Sequence, residues 1–482
     1  MYETALFVQL LVFIVVSSYL VTRRCFSIYH PAVLYAGFHF IVFVLRPILA
    51  SYFNYDAGIY SIYRFFPTAD IKVTTILASM LGFVVFTLVS TQIGASPVRF
   101  AAPETHETGR RQHRDTFLVI AAILGPIAIY SLQHTYRQAI GDVEFTMIMS
   151  RASGHYLNTT GNGYAVDAQM LAVPLCALCA WMFRYRLLAF LPIIAFVLLR
   201  AGTGNRGPFV ASLVTLGLLY AYEKRIRLPN WKVLSLLLAA AMLFRTVGDD
   251  RGASVRGVLQ NSPAASWANT EVRDNRFLES MDYQNEAFLQ YIIWVVPEKS
   301  QTYDYFLDNL EVLVAPIPRV LWPGKPDAEP FPQVRLFEFG FPIGMTKSLP
   351  GEGWFALGWI GVILWCGLAG YILGRLYEKF AVGRSNIFFT LGYLCFFPSL
   401  IISFRDGQLI SVMRQSVWYV LPVILWWAYA RQRADKNVQR KSGHGPHTPA
   451  SVQPDTSFLA SLPPAVRRRR LALANKPESP SA

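Results

Sequence analysis

The chain has 482 residues, of which 53% are hydrophobic, and its mean hydropathy is +0.34. The apolar residues recur in runs of roughly 17–23, the length of a helix that crosses a bilayer, which excludes an ordinary soluble domain. The net charge is +14, but many Lys and Arg residues cluster in short loops between the runs and in the tail, a pattern typical of membrane topology rather than of nucleic-acid binding.

The apolar runs predict an all-α, polytopic membrane protein with about eleven transmembrane helices. One large extracytoplasmic loop is expected at 248–352, between the eighth and the ninth helix. The predicted spans are 4–21, 30–52, 71–92, 116–133, 166–183, 187–203, 207–223, 231–247, 353–374, 386–403 and 415–430.

The short loops indicate an orientation. Arg23 and Arg24 follow the first predicted span, whereas Glu3 precedes it, and later loops on the same side are basic as well. By the positive-inside rule these loops are cytoplasmic, so we expect the N-terminus outside and the C-terminus inside. The later basic residues are Arg110, Arg111, Arg114, Arg184, Arg186, Lys224, Arg225, Arg227, Arg375, Lys379 and Arg384.

Composition divides the chain into two expected regions. Residues 1–430 are predicted to form the helical membrane domain, which includes the periplasmic loop 248–352. Residues 431–482 are rich in Pro, Ser, Lys and Arg, which predicts a disordered, basic cytoplasmic tail. Four consecutive arginines at 467–470 suit either contact with anionic lipid heads or a solvated topology anchor.

The large loop is not expected to be disordered throughout, because its segment 288–296 is apolar and aromatic. Such a segment can bury surface within the loop or against the membrane domain. The loop ends in a strip, 315–354, where Pro316, Pro318, Pro323 and Pro326 forbid a regular helix.

Two motifs stand in this strip. The first is Pro316-Ile317-Pro318-Arg319, followed by Leu321-Trp322-Pro323 and Lys325-Pro326; the second is Ser348-Leu349-Pro350-Gly351-Glu352, followed by Gly358 and Gly361. Together with Arg206-Gly207 at a predicted helix turn, they resemble the O-antigen polymerase (Wzy) family and related oligosaccharide repeat-unit polymerases.

The resemblance implies a membrane glycosyltransferase of the bacterial inner membrane. It would join polyprenyl-diphosphate-linked oligosaccharide repeat units into a surface polysaccharide on the periplasmic side. The expected partners are undecaprenyl-diphosphate-linked oligosaccharide, membrane lipids and a chain-length regulator. An O-antigen ligase-like transferase shares this architecture, and a lipid-linked sugar flippase is a third hypothesis, against which the lack of an internal repeat counts.

The substrate-binding candidates are cations on the predicted outer side: Arg206, Arg319, Lys325 and Arg405. A guanidinium can hold the diphosphate leaving group through a bidentate fork. The alternatives are that Arg206 only extends to lipid headgroups and that Arg319 and Lys325 only solvate a proline-rich loop.

Sugar transfer also needs a base to deprotonate the acceptor hydroxyl. Glu352, where the chain is expected to enter the membrane, is the first candidate and His155 the second; the alternative for each is an ordinary surface polar group. The sequence has no HExxH motif and no DxD motif in an outer loop, so metal-independent transfer without a cofactor is expected. Arg46, near the outer end of the second span, is expected to pair with an acid.

Overall fold

The computed structural model describes residues 1–53, 60, 63–139, 147–149, 156–158, 163–202, 207–229, 231, 235, 278, 283–317, 321–322, 333–340, 345–383 and 386–443. Two compact units make up the chain, 1–428 and 429–482. The described part of the second unit is the end of the last helix.

The regular secondary structure of the described residues is helical apart from one antiparallel pair of short strands, β1 (Met147–Met149) and β2 (Tyr156–Asn158). A π-helix, Phe40–Leu45, joins the helices Pro31–His39 and Arg46–Tyr52. The helices are α1 Tyr2–Thr22, α2 Pro31–His39, α3 Arg46–Tyr52, α4 Ala69–Ile93, α5 Pro103–Ala139, α6 Gly163–Asp167, α7 Ala172–Met182, α8 Leu191–Gly202, α9 Gly207–Glu223, α10 Asn285–Val295, α11 Glu311–Val314, α12 Leu349–Val382, α13 Ile387–Phe396, α14 Ser399–Asp406 and α15 Leu409–Gly443.

Helix starts follow local chemistry. The Thr68 hydroxyl accepts the backbone N–H of Ile71 at the start of α4, and the Asn386 side chain accepts that of Phe388 at the start of α13. Each cap satisfies a backbone donor that has no partner inside the first turn. Proline occupies the first turn of both α2 and α12, where its missing N–H costs nothing.

Six described helices are long and apolar enough to cross a membrane: Tyr2–Thr22, Pro31–Tyr52, Ala69–Ile93, His106–Arg137, Leu349–Val382 and Leu409–Lys436. The pair α13 and α14, bent by 43°, counts as a seventh span if it crosses as one unit. The chain is therefore a helical membrane protein, as the apolar runs predicted.

The predicted count of about eleven spans is not confirmed. The predicted spans 166–183 and 187–203 correspond to the shorter apolar helices Ala168–Met182 and Leu187–Arg200. Arg184 and Tyr185 adopt positive φ angles of 57° and 54°, which ends the first of these helices. The predicted span 231–247 lies outside the described residues except for 231 and 235.

Small residues bring α4 and α12 into close contact. A Cβ placed on Gly374 would lie 2.9 Å from the Ser90 carbonyl oxygen, and one on Gly370 would lie 3.0 Å from that of Phe86. Membrane helices gain little from hydrophobic exclusion of lipid, so close backbone packing of this kind holds them together.

Several basic loops meet at one end of the bundle. The Ile28 N–H donates to the Arg227 carbonyl at 3.1 Å, and the Arg99 N–H donates to the Ala381 carbonyl at 3.1 Å. The Arg225 guanidinium donates to the Ala101 carbonyl at 3.1 Å. We call this end of the bundle the basic end. The other end of the bundle, which includes the far ends of α3, α10, α11 and α12, is called the opposite end.

The apolar segment predicted at 288–296 does bury surface. It forms most of α10, in which Phe288, Leu289, Tyr291 and Ile292 are fully buried. The Trp354 indole nitrogen donates to the Val296 carbonyl at 3.0 Å, which ties the end of this segment to α12.

Candidate functional site

The motif Ser348-Leu349-Pro350-Gly351-Glu352 begins a helical hairpin. Helix α12 is interrupted at Leu357 and at Gly358, whose φ of 60° and ψ of −137° suit only glycine. A Cβ on Gly361 would overlap the Gly353 carbonyl oxygen. Residues eight apart in a continuous helix are about 12 Å apart, so the chain reverses at Gly358. Residues 349–356 form a short helix folded against the long helix 359–382.

The start of this short helix lies deep in the bundle. The Pro350 Cβ and the Cys366 sulfur would each lie 3.0 Å from a Cβ on Gly82. Gly82 is the middle of α4, about 20 Å along the helix from Ala69. Glu352 was expected where the chain enters the membrane, but its segment starts at mid-span and leads back toward the opposite end.

Lys347 and two carboxylates form the centre of the site. The Lys347 ammonium donates to Asp308 and lies 3.3 Å from the Glu352 Oε2 atom, and it sits 3.7 Å from the centroid of the Phe355 ring. The side chains of Asp308, Lys347 and Glu352 are at most 6% exposed. Glu352 is therefore no ordinary surface group, which was the alternative to its catalytic role. Charges buried this deeply need partners of opposite sign.

Asn309 fixes the orientation of the Glu352 carboxylate. Its amide nitrogen donates to Glu352 Oε1 at 2.6 Å, and its amide oxygen accepts the backbone N–H of Leu409 at 2.9 Å. Because a backbone N–H can only donate, the Asn309 amide has one orientation. Glu352 Oε1 is thereby engaged, and Oε2 is the oxygen that faces Lys347.

A tight corner holds the motif against α14. The Ser348 N–H donates to the Arg405 carbonyl at 2.9 Å, and the Asn285 amide donates to the same carbonyl at 2.7 Å. Gly407 follows with a φ of 75°, and a Cβ there would overlap the Ser348 carbonyl oxygen. Backbone contacts thus place Arg405 beside the motif, as part of one assembly with Glu352.

A second ion pair lies at the start of α10. The Arg46 guanidinium donates to Glu286 at 3.0 Å and to Gln284 at 2.9 Å, and Gln290 donates to the other Glu286 oxygen at 2.6 Å. Arg46 and Glu286 are 2% and 4% exposed. The expectation that Arg46 pairs with an acid is confirmed.

Asp304 adds a third carboxylate beside the centre. It is fully buried, and its Oδ2 atom accepts the Asp308 N–H at 3.1 Å. Burial, together with the neighbouring Asp308 carboxylate, raises the pKa of Asp304 to about 7, although the Lys347 ammonium acts in the opposite direction. Near neutral pH this side chain can therefore gain or lose a proton.

This shift predicts a pH-dependent stability. The folded state keeps the Asp304 proton up to about pH 7, whereas the unfolded chain loses it near pH 4. The contribution of Asp304 to the free energy of unfolding is therefore complete below about pH 4, and it is lost as the pH rises through 7. The melting temperature of the native protein, relative to Asp304→Asn, should rise as the pH falls from about 8 to about 5. A difference that is constant across this range in detergent melts would contradict the assignment.

Of the six predicted site residues, the structure describes Glu352 and Arg405. His155, Arg206, Arg319 and Lys325 lie outside the described residues. Sequence reasoning missed Lys347, Asp308 and Asn309. Lys347 directly precedes the Ser348 motif, a signal that was available, whereas Asp308 and Asn309 stand about forty residues away with no local pattern to mark them.

The chain was compared with protein families, curated proteins and solved structures. No protein-family model, no curated protein and no solved structure matches this chain.

Proposed function

We propose that this chain is a polymerase that joins polyprenyl-diphosphate-linked oligosaccharide repeat units in the bacterial inner membrane. The observation that carries the proposal is the position of Ser348–Glu352: the motif that resembles the polymerase family also supplies a buried carboxylate held by Lys347 and Asn309. In this proposal the N-terminus is outside, the basic end faces the cytoplasm and the opposite end faces the periplasm.

The chemistry assigned to the centre is general base catalysis. Glu352 Oε2 accepts the proton of the acceptor hydroxyl, whose oxygen attacks the anomeric carbon of the donor glycan. The bond from that carbon to the diphosphate breaks, and the polyprenyl diphosphate leaves with the bonding electrons. The Lys347 ammonium, 3.3 Å from Oε2, offsets part of the cost of burying the Glu352 carboxylate. Arg206 and Arg319 are proposed to hold the leaving diphosphate.

Access to Glu352 requires a movement. The carboxylate is fully buried, and Asn309, which donates to it, lies on the turn Leu307–Leu310. Tyr305 and Phe306, which precede this turn, have positive φ angles of 56° and 63°, a conformation that costs bulky residues energy. In the proposed cycle this turn moves aside so that an acceptor hydroxyl can reach Glu352.

Glu352→Gln tests the proposal in cells. The amide keeps an oxygen for Asn309 and Lys347 keeps Asp308, but the new NH2 group replaces Oε2 beside the Lys347 ammonium, so the protein level in the membrane is measured for each variant. Without a base, the glycan ladder on a gel should shorten to a single repeat, with a loss of at least about a hundredfold in longer chains. The matched control is Glu298→Gln, an exposed acid that makes no contact with the centre. A full ladder from Glu352→Gln at native protein level would overturn the assignment.

A transporter of lipid-linked sugars is a second candidate, favoured by one observation. A broken helix, as at Gly358, beside charges buried at mid-depth, as at Lys347, is typical of transporters. Accumulation of lipid-linked units on the inner leaflet of a deletion strain would favour the transporter. Polymer that stays on its lipid carrier would instead favour a ligase, and loss of chains longer than one repeat would favour the polymerase.

A further inference from the structure

An apolar groove lies between α12, α13 and α15, away from the charged centre. Its volume is about 350 Å³. It extends along α13 from Phe388 to Phe396, about 12 Å parallel to the helix axis. Its walls are Leu376, Phe389, Phe396, Val420, Ile424 and Trp427. These helices belong to the membrane-spanning part of the chain, so the groove has the direction of a lipid chain in the bilayer.

The groove is open to the lipid side of the bundle and apolar along its length. Ile424 and Trp427 on its rim are 50% and 41% exposed. Tyr393 lines the floor, but its hydroxyl donates to the Tyr29 carbonyl at 2.7 Å and so makes its polar contact with the protein. A hydrocarbon chain would bury apolar surface there without leaving a polar group unsatisfied.

The mouth of the groove lies at the basic end, where α13 begins at Asn386. The oxygen of the Asn386 side chain is used in capping α13, which leaves its amide nitrogen as the donor for a ligand. Lys379 is exposed and lies three residues after Leu376, on the same face of α12. The nearby Glu378 carboxylate is engaged by the backbone and the hydroxyl of Ser96.

From the charge at the mouth and the apolar walls we infer that this groove binds one hydrocarbon chain of an anionic phospholipid, with the headgroup phosphate at Lys379 and Asn386. The surrounding membrane supplies such lipids, and a lysine near its surface attracts their anionic headgroups. This site is independent of the proposed polymerase activity, because it shares no residue with the charged centre.

Gly392 offers a direct way to fill the groove. A Cβ there would meet its nearest neighbours, the Cγ1 atoms of Val423 and Val420, at 3.8 and 4.0 Å, so a larger side chain fits and occupies the space of the lipid chain. The protein is purified in detergent, exposed to phosphatidylglycerol or phosphatidylcholine, and analysed by native mass spectrometry for retained lipid.

The native protein should retain one phosphatidylglycerol in preference to phosphatidylcholine. Gly392→Leu should lower this retention roughly tenfold, and Lys379→Gln about fivefold. Ile363→Phe, which enlarges a side chain on the exposed face of α12 outside the groove, should leave it unchanged. Equal retention by Gly392→Leu, or no preference for the anionic lipid, would overturn the inference. Retention that appears only after residues 444–482 are deleted would overturn it too, since the tail would then be the occupant.

Discussion

Replacing Lys347 by methionine should lower the free energy of unfolding by about 3–5 kcal/mol, the usual cost of removing one partner from a buried ion pair. Methionine keeps much of the side-chain volume, so the loss reflects charge rather than packing. The substitution would leave the carboxylates of Asp308 and Glu352 close together without a cation. Both are at most 2% exposed, so water cannot replace the lost ammonium. The measurement is the thermal or denaturant-induced unfolding of the purified protein in detergent.

The matched variant removes the stranded charges as well. Lys347→Met combined with Asp308→Asn and Glu352→Gln should recover a large part of the lost stability, because neutral amides cost far less to bury than unpaired carboxylates. If the single variant melts like the native protein, the three side chains do not form the buried centre described above. If the triple variant is as unstable as the single one, the lysine acts through packing alone.

Gly407→Ala should have a comparably large effect. The φ of 75° strains any residue with a side chain, and the added methyl group would overlap the Ser348 carbonyl oxygen and lie 3.1 Å from the Glu352 Cβ. The positive φ and the forced backbone shift together should cost about 2–4 kcal/mol. Because the shift displaces Ser348 and Glu352, glycan ladder formation should fall as well.

Gly217→Ala is the control for that substitution. Gly217 lies inside α9, and no atom of the described residues outside the adjoining turns of its own helix lies within 4 Å of an added Cβ, so alanine there should stabilise the protein by about 0.5–1 kcal/mol through higher helix propensity. Both variants are compared by melting temperature and by ladder length at matched protein levels. Equal stability of the two variants would contradict the corner geometry at Ser348 and Gly407.

Features that depend on one local stretch of chain could be predicted from the sequence. The six long spans follow from apolar run length, and the burial of 288–296 follows from its composition. The pairing of Arg46 followed from a general cost, since a cation inside a span needs a partner. Its partner Glu286 could not be named, because 240 residues separate the two and nothing in either local sequence indicates that the two segments meet.

The hairpin in α12 could not be predicted from the length of the apolar run. The run 353–374 is continuously apolar and contains no proline, so run length predicts one straight helix. What reverses the chain is Gly358 at positive φ, together with two further glycines, Gly353 and Gly361, that let the backbones touch. Glycine pairs of this kind also occur in unbroken membrane helices, so the pattern does not distinguish the two. The contacts of Asp308 and Asn309 with Glu352 and Lys347 depend on this hairpin, so they could not be predicted either.

The central claim, that the buried centre extends lipid-linked glycans, is tested most directly by reconstitution. The purified native protein and Glu352→Gln are each placed in vesicles with synthetic polyprenyl-diphosphate-linked repeat units, and products are separated by size. The native protein should yield a ladder of multiples of the repeat and release one polyprenyl diphosphate for each linkage, whereas Glu352→Gln should yield single units only. Equal ladders from the two proteins, or movement of intact units across the bilayer without any ladder, would contradict the claim.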